Sequence, residues 1–146
     1  MRNHRIVSIA SLLCLVLLSA CSSVSLPLSG LDRDAVLAYS ESKTDNLMQA
    51  MNRNDVSAFS RDLNDKMKSA FTVEAFAKMQ SQVGGKIGNY VSRQVSTVLQ
   101  TGDTVTVIYA ARFEYEEQVI MRVSFETTAP HRISGLWFDS AKLRQP

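Results

Sequence analysis

The sequence predicts an α+β domain in which helices come first and an antiparallel sheet of about four strands follows. The clearest indication is residues 104–126, where apolar and more polar residues alternate with a period of two. Residues 33–83 instead repeat apolar side chains at intervals of three and four, which is typical of amphipathic helices. Because helices precede the strands instead of alternating with them, we do not expect a wound parallel sheet.

Residues 104–126 predict a hairpin with one covered face. A two-residue loop would place one strand's apolar row opposite the other's polar row, because a slip of one residue turns every side chain to the opposite face. We therefore expect an odd loop, Tyr115–Glu117. The two apolar rows are Val105, Val107, Tyr109, Ala111 and Phe113, and Val119, Met121, Val123 and Phe125.

Four helices are expected before the sheet. The first begins near Arg33, and its polar middle, residues 40–46, predicts that it packs at its ends more than at its centre. The last one should end at Gly84–Gly85, because glycine adopts the left-handed C-terminal conformation at little steric cost. The expected N-caps are Asp32, Asn54, Asn64 or Asp65, and Thr72.

Two further strands are expected, at residues 90–99 and 133–138, with a turn at Thr101–Asp103 leading into the hairpin. Residues 136–138 are consecutive apolar residues, so one of them must point outward from the sheet. An apolar side chain exposed there would indicate a partner surface or a self-association face.

The first twenty residues have the layout of a secretory signal. Arg2 and Arg5 precede an apolar run over residues 6–18, which is too short for a comfortable membrane-spanning helix. The following Leu18-Ser19-Ala20-Cys21, residues 18–21, resembles the bacterial lipobox. That resemblance implies cleavage before Cys21 and a covalent diacylglyceryl group and N-acyl chain on this cysteine.

The expected organisation is a signal peptide over 1–20, a lipidated cysteine and tether over 21–30, a domain over 31–140 and a tail over 141–146. The residue directly after the cysteine is Ser22 and not an aspartate. By resemblance to lipoprotein sorting in Gram-negative bacteria, this implies the periplasmic face of the outer membrane. The outer surface of a Gram-positive cell is the alternative.

Charge and cysteine content exclude several classes of function. Of 16 Lys and Arg residues, Arg2 and Arg5 leave with the signal, so 14 basic residues face 14 acidic ones and nothing favours nucleic acid as a partner. Cys14 lies in the signal and Cys21 would be lipidated, so no thiol remains for a disulfide or a metal. His131 is the only imidazole outside the signal, and we expect no metal site and no further cofactor.

A series of short motifs runs through the domain: residues 48–52 (MQAMN), 55–59 (DVSAF), 67–71 (MKSAF), Phe76, 88–90 (GNY), 109–114 (YAARFE) and 133–138 (ISGLWF). In this order they resemble the family catalogued as domain of unknown function 3887, over about Leu31 to Phe138. The resemblance implies a cone like that of nuclear-transport-factor-two-like or ketosteroid-isomerase-like proteins, in which a curved antiparallel sheet wraps helices and often leaves an apolar pocket. It implies no activity, because the family has none assigned and fold does not settle function.

An enzyme on this fold would have few residues to use. In the ketosteroid-isomerase pattern an aspartate takes a proton, while a tyrosine and a neutral acid bind the oxyanion. Tyr109, or next Tyr90, could face a pocket, and Asp62 is the acid nearest the helices. A core tyrosine and a capping acid explain these residues more simply, and we assign no catalytic residue.

Other polar residues have simple explanations. Arg112 and Arg122 share polar rows of the hairpin with Glu114 and Glu126, which predicts cross-strand ion pairs on a solvated face. His131 lies beside a proline in a loop and is expected to be solvated.

Seven large side chains are the candidates for lining an apolar pocket between sheet and helices, if the interior is not filled: Met67, Phe71, Phe76, Tyr90, Tyr109, Phe113 and Trp137. The function that we expect is a non-enzymatic envelope lipoprotein whose domain binds a protein or a small apolar ligand. The alternatives are a small isomerase or hydrolase, and an accessory or inhibitory subunit of an envelope enzyme. A filled interior with Trp137 or Phe138 exposed would favour the interaction protein.

Overall fold

The computed structural model describes residues 24–146, so the expected signal peptide and Cys21 lie outside the described residues. The helices are α1 (Gly30–Asn52), α2 (Val56–Ser60), α3 (Asp65–Ala70) and α4 (Val73–Ile87). The strands are β1 (Leu26–Pro27), β2 (Tyr90–Thr101), β3 (Thr104–Phe113), β4 (Glu116–Glu126) and β5 (Ile133–Asp139). They form one antiparallel sheet in chain order, which confirms the predicted α+β class with N-terminal helices.

The central hairpin aligns its two apolar rows as expected, but by a different device. The loop between β3 and β4 has two residues, Glu114–Tyr115, and not three. A register shift between Ala111 and Phe113 supplies the odd residue, because β4 carries one more residue than β3 in that interval. Beyond this bulge Tyr109 lies opposite Met121, and the predicted apolar face is buried.

The core fills the space between this face and the helices. Sheet residues such as Val107, Tyr109 and Phe125 are fully buried, as are Leu47 and Met48 of α1. Phe76 of α4 and Phe59 of α2 face each other with ring centroids 4.8 Å apart. Because aromatic rings are large, this contact excludes much apolar surface from water where the short helices meet α4.

Three side chains cap α2, α3 and α4, at or next to the predicted positions. Asp55, and not Asn54, accepts a hydrogen bond from the Ala58 amide at the start of α2. Asn64 and Thr72 cap α3 and α4 as predicted. A side-chain acceptor at this position satisfies a backbone amide that has no partner inside the helix.

The start of α1 and the end of α4 differ from the prediction. Helix α1 begins at Gly30, before Asp32, and Ser29 precedes it without a side-chain cap. Helix α4 runs through Gly84 and Gly85 to Ile87. It ends at Gly88, whose φ of 79° favours glycine, so the helix stops at the next glycine along the chain.

The end of the expected tether is part of the sheet. Leu26 and Pro27 pair with Gln100 and Leu99 of β2, and the Leu28 amide donates to the Val98 carbonyl at 2.8 Å. The free edge of β2 offers unpaired backbone groups, and this short segment satisfies some of them.

Strand β5 shows to which face of the sheet each of the three consecutive apolar residues points. Trp137 lies opposite Arg122 on the outer face and is 45% exposed, whereas Leu136 and Phe138 lie opposite buried residues of β4. A register shift near Ile133 sets this orientation. Within residues 24–146, no helix is long and apolar enough to cross a bilayer.

Candidate functional site

A polar cluster lies where the middle of α1 crosses the inner face of the sheet. Glu41, Thr44 and Asp45 lie within about one helical turn, which brings them to one face of α1. Arg93 enters from β2, opposite Ala111, so its side chain shares the inner row of the sheet. Ser40 and Thr44 are fully buried, so the polar middle of α1 packs against the sheet as well as the ends of the helix.

Arg93 is the centre of this cluster. Its side chain is 6% exposed and forms ion pairs with Glu41, at 3.0 Å, and with Asp45. It also donates to the Tyr90 hydroxyl at 3.1 Å and to the Glu41 carbonyl at 3.2 Å. The two carboxylates are about half exposed, so the pairing joins a buried cation to the solvent-facing side of α1.

Tyr109 binds the same helix from the next strand. Its hydroxyl donates to Glu41 Oε1 at 2.8 Å and lies 3.3 Å from the Thr44 hydroxyl. Burial raises the pKa of Tyr109 well above its ordinary value, and the hydrogen bond to Glu41 acts in the same direction. The Tyr109 hydroxyl therefore stays protonated, and its hydrogen bond is already donated to Glu41.

Arg93 keeps its charge despite its burial. Desolvation opposes that charge, but the hydrogen bonds to Asp45 and Tyr90 and the negative charge of Glu41 outweigh desolvation and raise the pKa of Arg93. Two polar atoms nearby have no partner within the described residues, Arg93 Nε and Ser40 Oγ. Because its guanidinium charge is balanced by two carboxylates, Arg93 joins α1 to the sheet more readily than it would bind an anion.

Asp62, the acid considered for proton transfer, serves the packing of α1 against the second helix. Its Oδ2 accepts from Asn46 Nδ2 at 3.0 Å and from Arg61 at 3.3 Å. Its carbonyl accepts from the Ile133 amide at 2.8 Å. These contacts join the loop after α2 to the start of β5.

The expected ion pairs on the hairpin do not form among the described residues. Arg122 instead lies over the ring of Trp137, with its Cζ 4.6 Å from the ring centroid. Glu114 accepts from the Asn89 amide, and Glu126 accepts from Asn64 Nδ2. Because these two carboxylates already accept hydrogen bonds from neighbouring loops, Arg122 contacts Trp137 instead.

Two grooves flank β5. The inner one, of about 530 Å³, lies between α4 and β5, and its apolar lining is Phe71, Met79, Val83, Leu136, Phe138 and Leu143, with Trp137 at the rim. The outer one, of about 520 Å³, crosses the outer face of the sheet and includes Thr106, Arg122, Gly135 and Trp137. Trp137 therefore borders both grooves.

The seven candidate pocket residues divide among three environments. Phe76, Tyr109 and Phe113 are buried in the core, Met67 and Tyr90 are half-buried and pack against it, and Phe71 and Trp137 line the inner groove beside β5. Trp137 reaches that groove from the outer face and not from the interior, because its position in β5 alternates with those of Leu136 and Phe138.

Sequence reasoning missed the acids of α1 and the role of Arg93. The available signal was an arginine in the same row as Val91 and Val95 of a strand, facing a helix with Glu41 and Asp45 four residues apart. A charged residue in an apolar row predicts a buried partner of opposite charge.

His131 was also misplaced as a solvated loop residue. Its ring stacks on Tyr39 with centroids 4.0 Å apart and 9° between planes. Its Nδ1 lies 3.1 Å from the Glu126 carbonyl oxygen.

The comparison with protein families decides what this chain is similar to. The family described as protein of unknown function (DUF3887) matches residues 44–129, more than half of the chain. The chain belongs to the DUF3887 family. No curated protein and no solved structure matches it.

The DUF3887 match includes most of the polar cluster and excludes the edge strand. Thr44, Asp45, Arg93 and Tyr109 lie inside it, and Glu41 lies three residues before it. Strand β5, with Trp137, follows it. Within residues 24–146, no group of three or more His, Cys, Asp or Glu side chains is placed to hold a metal ion.

Proposed function

We propose that this DUF3887 protein is an envelope lipoprotein, anchored through Cys21, whose domain binds another protein by adding an extended segment to the edge of β5. The observation that carries the proposal is the position of Trp137. This large aromatic side chain is 45% exposed on an edge strand, between two grooves. Tryptophan is among the residues that contribute most to binding at protein interfaces.

The free edge of β5 supports a backbone-mediated mode of binding. In the sheet formed by residues 24–146, β5 is the last strand and has β4 as its neighbour on one side. Among the described residues, hydrogen bonds on its other side occur at Ile133, with Asp62 and Asn64. Residues 134–139 therefore present an edge at which an extended peptide can form main-chain hydrogen bonds.

The grooves supply specificity for such a peptide. Side chains of an added strand alternate between the two faces of the sheet. One set would lie over the apolar inner groove beside Phe71 and Phe138, and the other would lie over Trp137 and Arg122 on the outer face. We therefore expect a partner segment with apolar side chains at every second position.

The stacking of Arg122 on Trp137 supports the same role. The guanidinium covers one face of the indole and holds its orientation. An ordered aromatic side chain loses less conformational entropy on binding than a free one. This exposed pair is suited to a protein contact.

The anchor determines where the partner must lie. Cys21 precedes the first residue of β1 by five positions, so the chain between them spans at most about 18 Å. A diacylglyceryl group and an N-acyl chain together give stable anchoring. The domain would be held close to the membrane, by resemblance at the periplasmic face of the outer membrane, and its partner would be an envelope protein.

The polar cluster favours binding over catalysis for this domain. The Tyr109 hydroxyl and the Asp62 carboxylate, the groups an isomerase or hydrolase would use, already hydrogen-bond to protein groups. If the partner is an enzyme, edge docking would make this chain its accessory or inhibitory subunit.

Selective N-methylation of peptides tests the strand-addition mode. Decapeptides that bind the full-length protein would be selected from a random library, and their affinities measured with single N-methyl groups along the chain. We expect N-methylation to weaken binding at alternate positions only, because in a paired strand every second amide faces the neighbouring strand. Uniform sensitivity or none would contradict strand addition.

Matched surface variants test the location. Trp137→Ser is expected to reduce the peptide affinity at least about tenfold, as for the loss of an aromatic contact at the centre of an interface. Val91→Ser is the control, because Val91 is also 45% exposed but lies on β2, three strands away. Equal effects of the two substitutions would exclude β5 as the site.

A further inference from the structure

A groove of about 490 Å³ lies between the first half of α1, the end of β2 and the loop that follows β4. Its apolar lining residues are Leu28, Ala35, Val36 and Val105. Its polar lining residues are Asp32, Tyr39, Gln100, Thr127 and His131. This combination of an apolar wall with few polar groups is typical of small-molecule sites.

His131 is held rigidly at this groove. Its ring stacks on Tyr39, and the Lys43 ammonium donates to the His131 carbonyl at 2.9 Å, which fixes the backbone. The residue adopts a φ of 54°. Both the ring and the main chain of His131 are therefore positioned before any ligand binds.

The hydrogen bond of Nδ1 determines the tautomer of His131. Nδ1 lies 3.1 Å from the carbonyl oxygen of Glu126, and a carbonyl oxygen only accepts. Nδ1 therefore carries the proton, and in the neutral ring Nε2 has a free lone pair. Among the described residues Nε2 has no hydrogen-bond partner, and it is not one of their fully buried polar atoms, so part of its surface is accessible.

Acceptors dominate the polar lining of this groove. Nε2 of His131 and the exposed carboxylate of Asp32 are able to accept hydrogen bonds, and the lining contains neither lysine nor arginine. The Gln100 amide and the Thr127 hydroxyl already donate to the carbonyls of Gly102 and Asp103. Lys43 is directed to the carbonyls of Pro130 and His131. A ligand that donates hydrogen bonds and carries positive charge matches this lining, whereas a carboxylate does not.

We propose that this groove binds a small primary amine with an apolar body, whose ammonium group donates to His131 Nε2 and is attracted by Asp32. The apolar body would contact Val36 and Val105 at the buried wall. The site is separate from β5, so a small ligand and a protein partner could bind the same domain.

Three probes of similar size test the chemical class. Benzylamine, benzyl alcohol and benzoate would be titrated into the full-length protein in detergent, by calorimetry and by NMR of the His131 ring nitrogens. We expect benzylamine to bind at least about tenfold more tightly than benzoate, because one charge-assisted hydrogen bond contributes about that difference in affinity. Benzylamine should also shift the Nε2 resonance. Equal affinity of benzoate, or no binding of benzylamine, would overturn the proposal.

Three variants test the residues. His131→Asn retains a side-chain amide that can donate to the Glu126 carbonyl, suits the positive φ and lacks the Nε2 acceptor. His131→Asn should weaken benzylamine binding about tenfold and should weaken benzyl alcohol binding less. Asp32→Asn should weaken binding of benzylamine alone, and Asp34→Asn, an exposed acid outside the groove, should leave it unchanged.

Urea unfolding of each variant separates lost binding from lost folding. Unchanged benzylamine affinity in folded His131→Asn would overturn the proposal. Equal losses in Asp32→Asn and Asp34→Asn would show a general charge effect and would overturn it as well.

Discussion

The guanidinium of Arg93 lies over the ring of Tyr109, 5.1 Å from its centroid, and both side chains bind the carboxylate of Glu41. Arg93 comes from β2, Tyr109 from β3 and Glu41 from α1. The helix is therefore joined to two neighbouring strands through one carboxylate. This contact is polar although it lies beside a fully buried apolar core.

Replacement of Arg93 by leucine tests this junction. The substitution fills a similar volume but leaves Glu41 and Asp45 without their cation, so we expect the free energy of unfolding to fall by about 1–3 kcal/mol. The figure is lower than for a fully buried pair because both carboxylates are about half exposed. Arg61→Ala is the control, since among the described residues this exposed arginine pairs with Asp62 alone and its loss should cost less than about 0.5 kcal/mol. Urea unfolding measures both, and equal effects would mean that Arg93 is not the junction.

Because of Tyr109, the stability of the domain should fall as the pH rises into the alkaline range. Its pKa is raised on folding, so its contribution to stability is fully present below the unfolded value of about 10 and is lost as the pH rises above that value. The pKa of Tyr39 is raised by burial too, so both tyrosines act in this direction.

Tyr109→Phe separates the two tyrosines. The variant should be less stable by about 1–2 kcal/mol at neutral pH, because Glu41 and the buried Thr44 lose a partner. Between pH 9 and 11, about one unit on either side of the ordinary tyrosine value, it should lose less stability than the parent protein. Urea midpoints across this range give the comparison. A parallel decline in both proteins would show that Tyr109 does not titrate with unfolding.

Gly88 and Gly85 offer a matched pair of glycine substitutions. Gly88 has φ 79° and ψ −164°, a region essentially limited to glycine, and an added Cβ would lie 2.8 Å from the Glu114 Cβ. We expect Gly88→Ala to reduce the free energy of unfolding by about 2–4 kcal/mol. Gly85 lies inside α4 with open space around its Cα, so Gly85→Ala should raise stability by about 0.5–1 kcal/mol. Thermal and urea unfolding give both values, and a neutral Gly88→Ala would mean that the loop can relax.

The sequence predicted the class of the fold because periodicity depends on neighbouring residues. Tyr109 and Met121 were expected on one covered face, and they lie opposite each other in the hairpin. The caps at Asn64 and Thr72 were predictable for the same reason, since a cap bonds an amide three residues away.

The polar cluster and the edge segment required information that local patterns do not contain. Glu41 and Arg93 are 52 residues apart, and only the fold shows that they pair. Similarly, nothing local to Leu26 and Pro27 indicates that they add to β2, where Leu26 pairs with Gln100, 74 residues further along the chain. Polar residues that satisfy one another through tertiary contacts look solvated in a sequence.

Cys21→Ser tests the anchor on which the proposed function rests. We expect the full-length variant to leave the membrane fraction and to stay folded, because the described helices and strands lie within residues 26–139. Membrane fractionation followed by intact mass measurement gives the result, with loss of the acyl mass as the direct readout. Cys14→Ser is the control, since this cysteine precedes the expected cleavage position and should not change the mature mass. A Cys21→Ser protein that still carries lipid would contradict the anchor.

Ser22→Asp tests the proposed location at the outer membrane. By resemblance to lipoprotein sorting in Gram-negative bacteria, an aspartate directly after the lipidated cysteine retains the protein in the inner membrane. Ser22 lies four positions before β1, so we expect the substitution to leave the fold and the proposed lipidation unaltered. In a Gram-negative host we expect Ser22→Asp in the inner-membrane fraction of a density gradient, and both the parent protein and Ser22→Ala in the outer-membrane fraction. If Ser22→Asp instead remains with the outer membrane while Cys21 is acylated, the position of this protein is set by another segment, and binding of a partner at β5 becomes the first candidate.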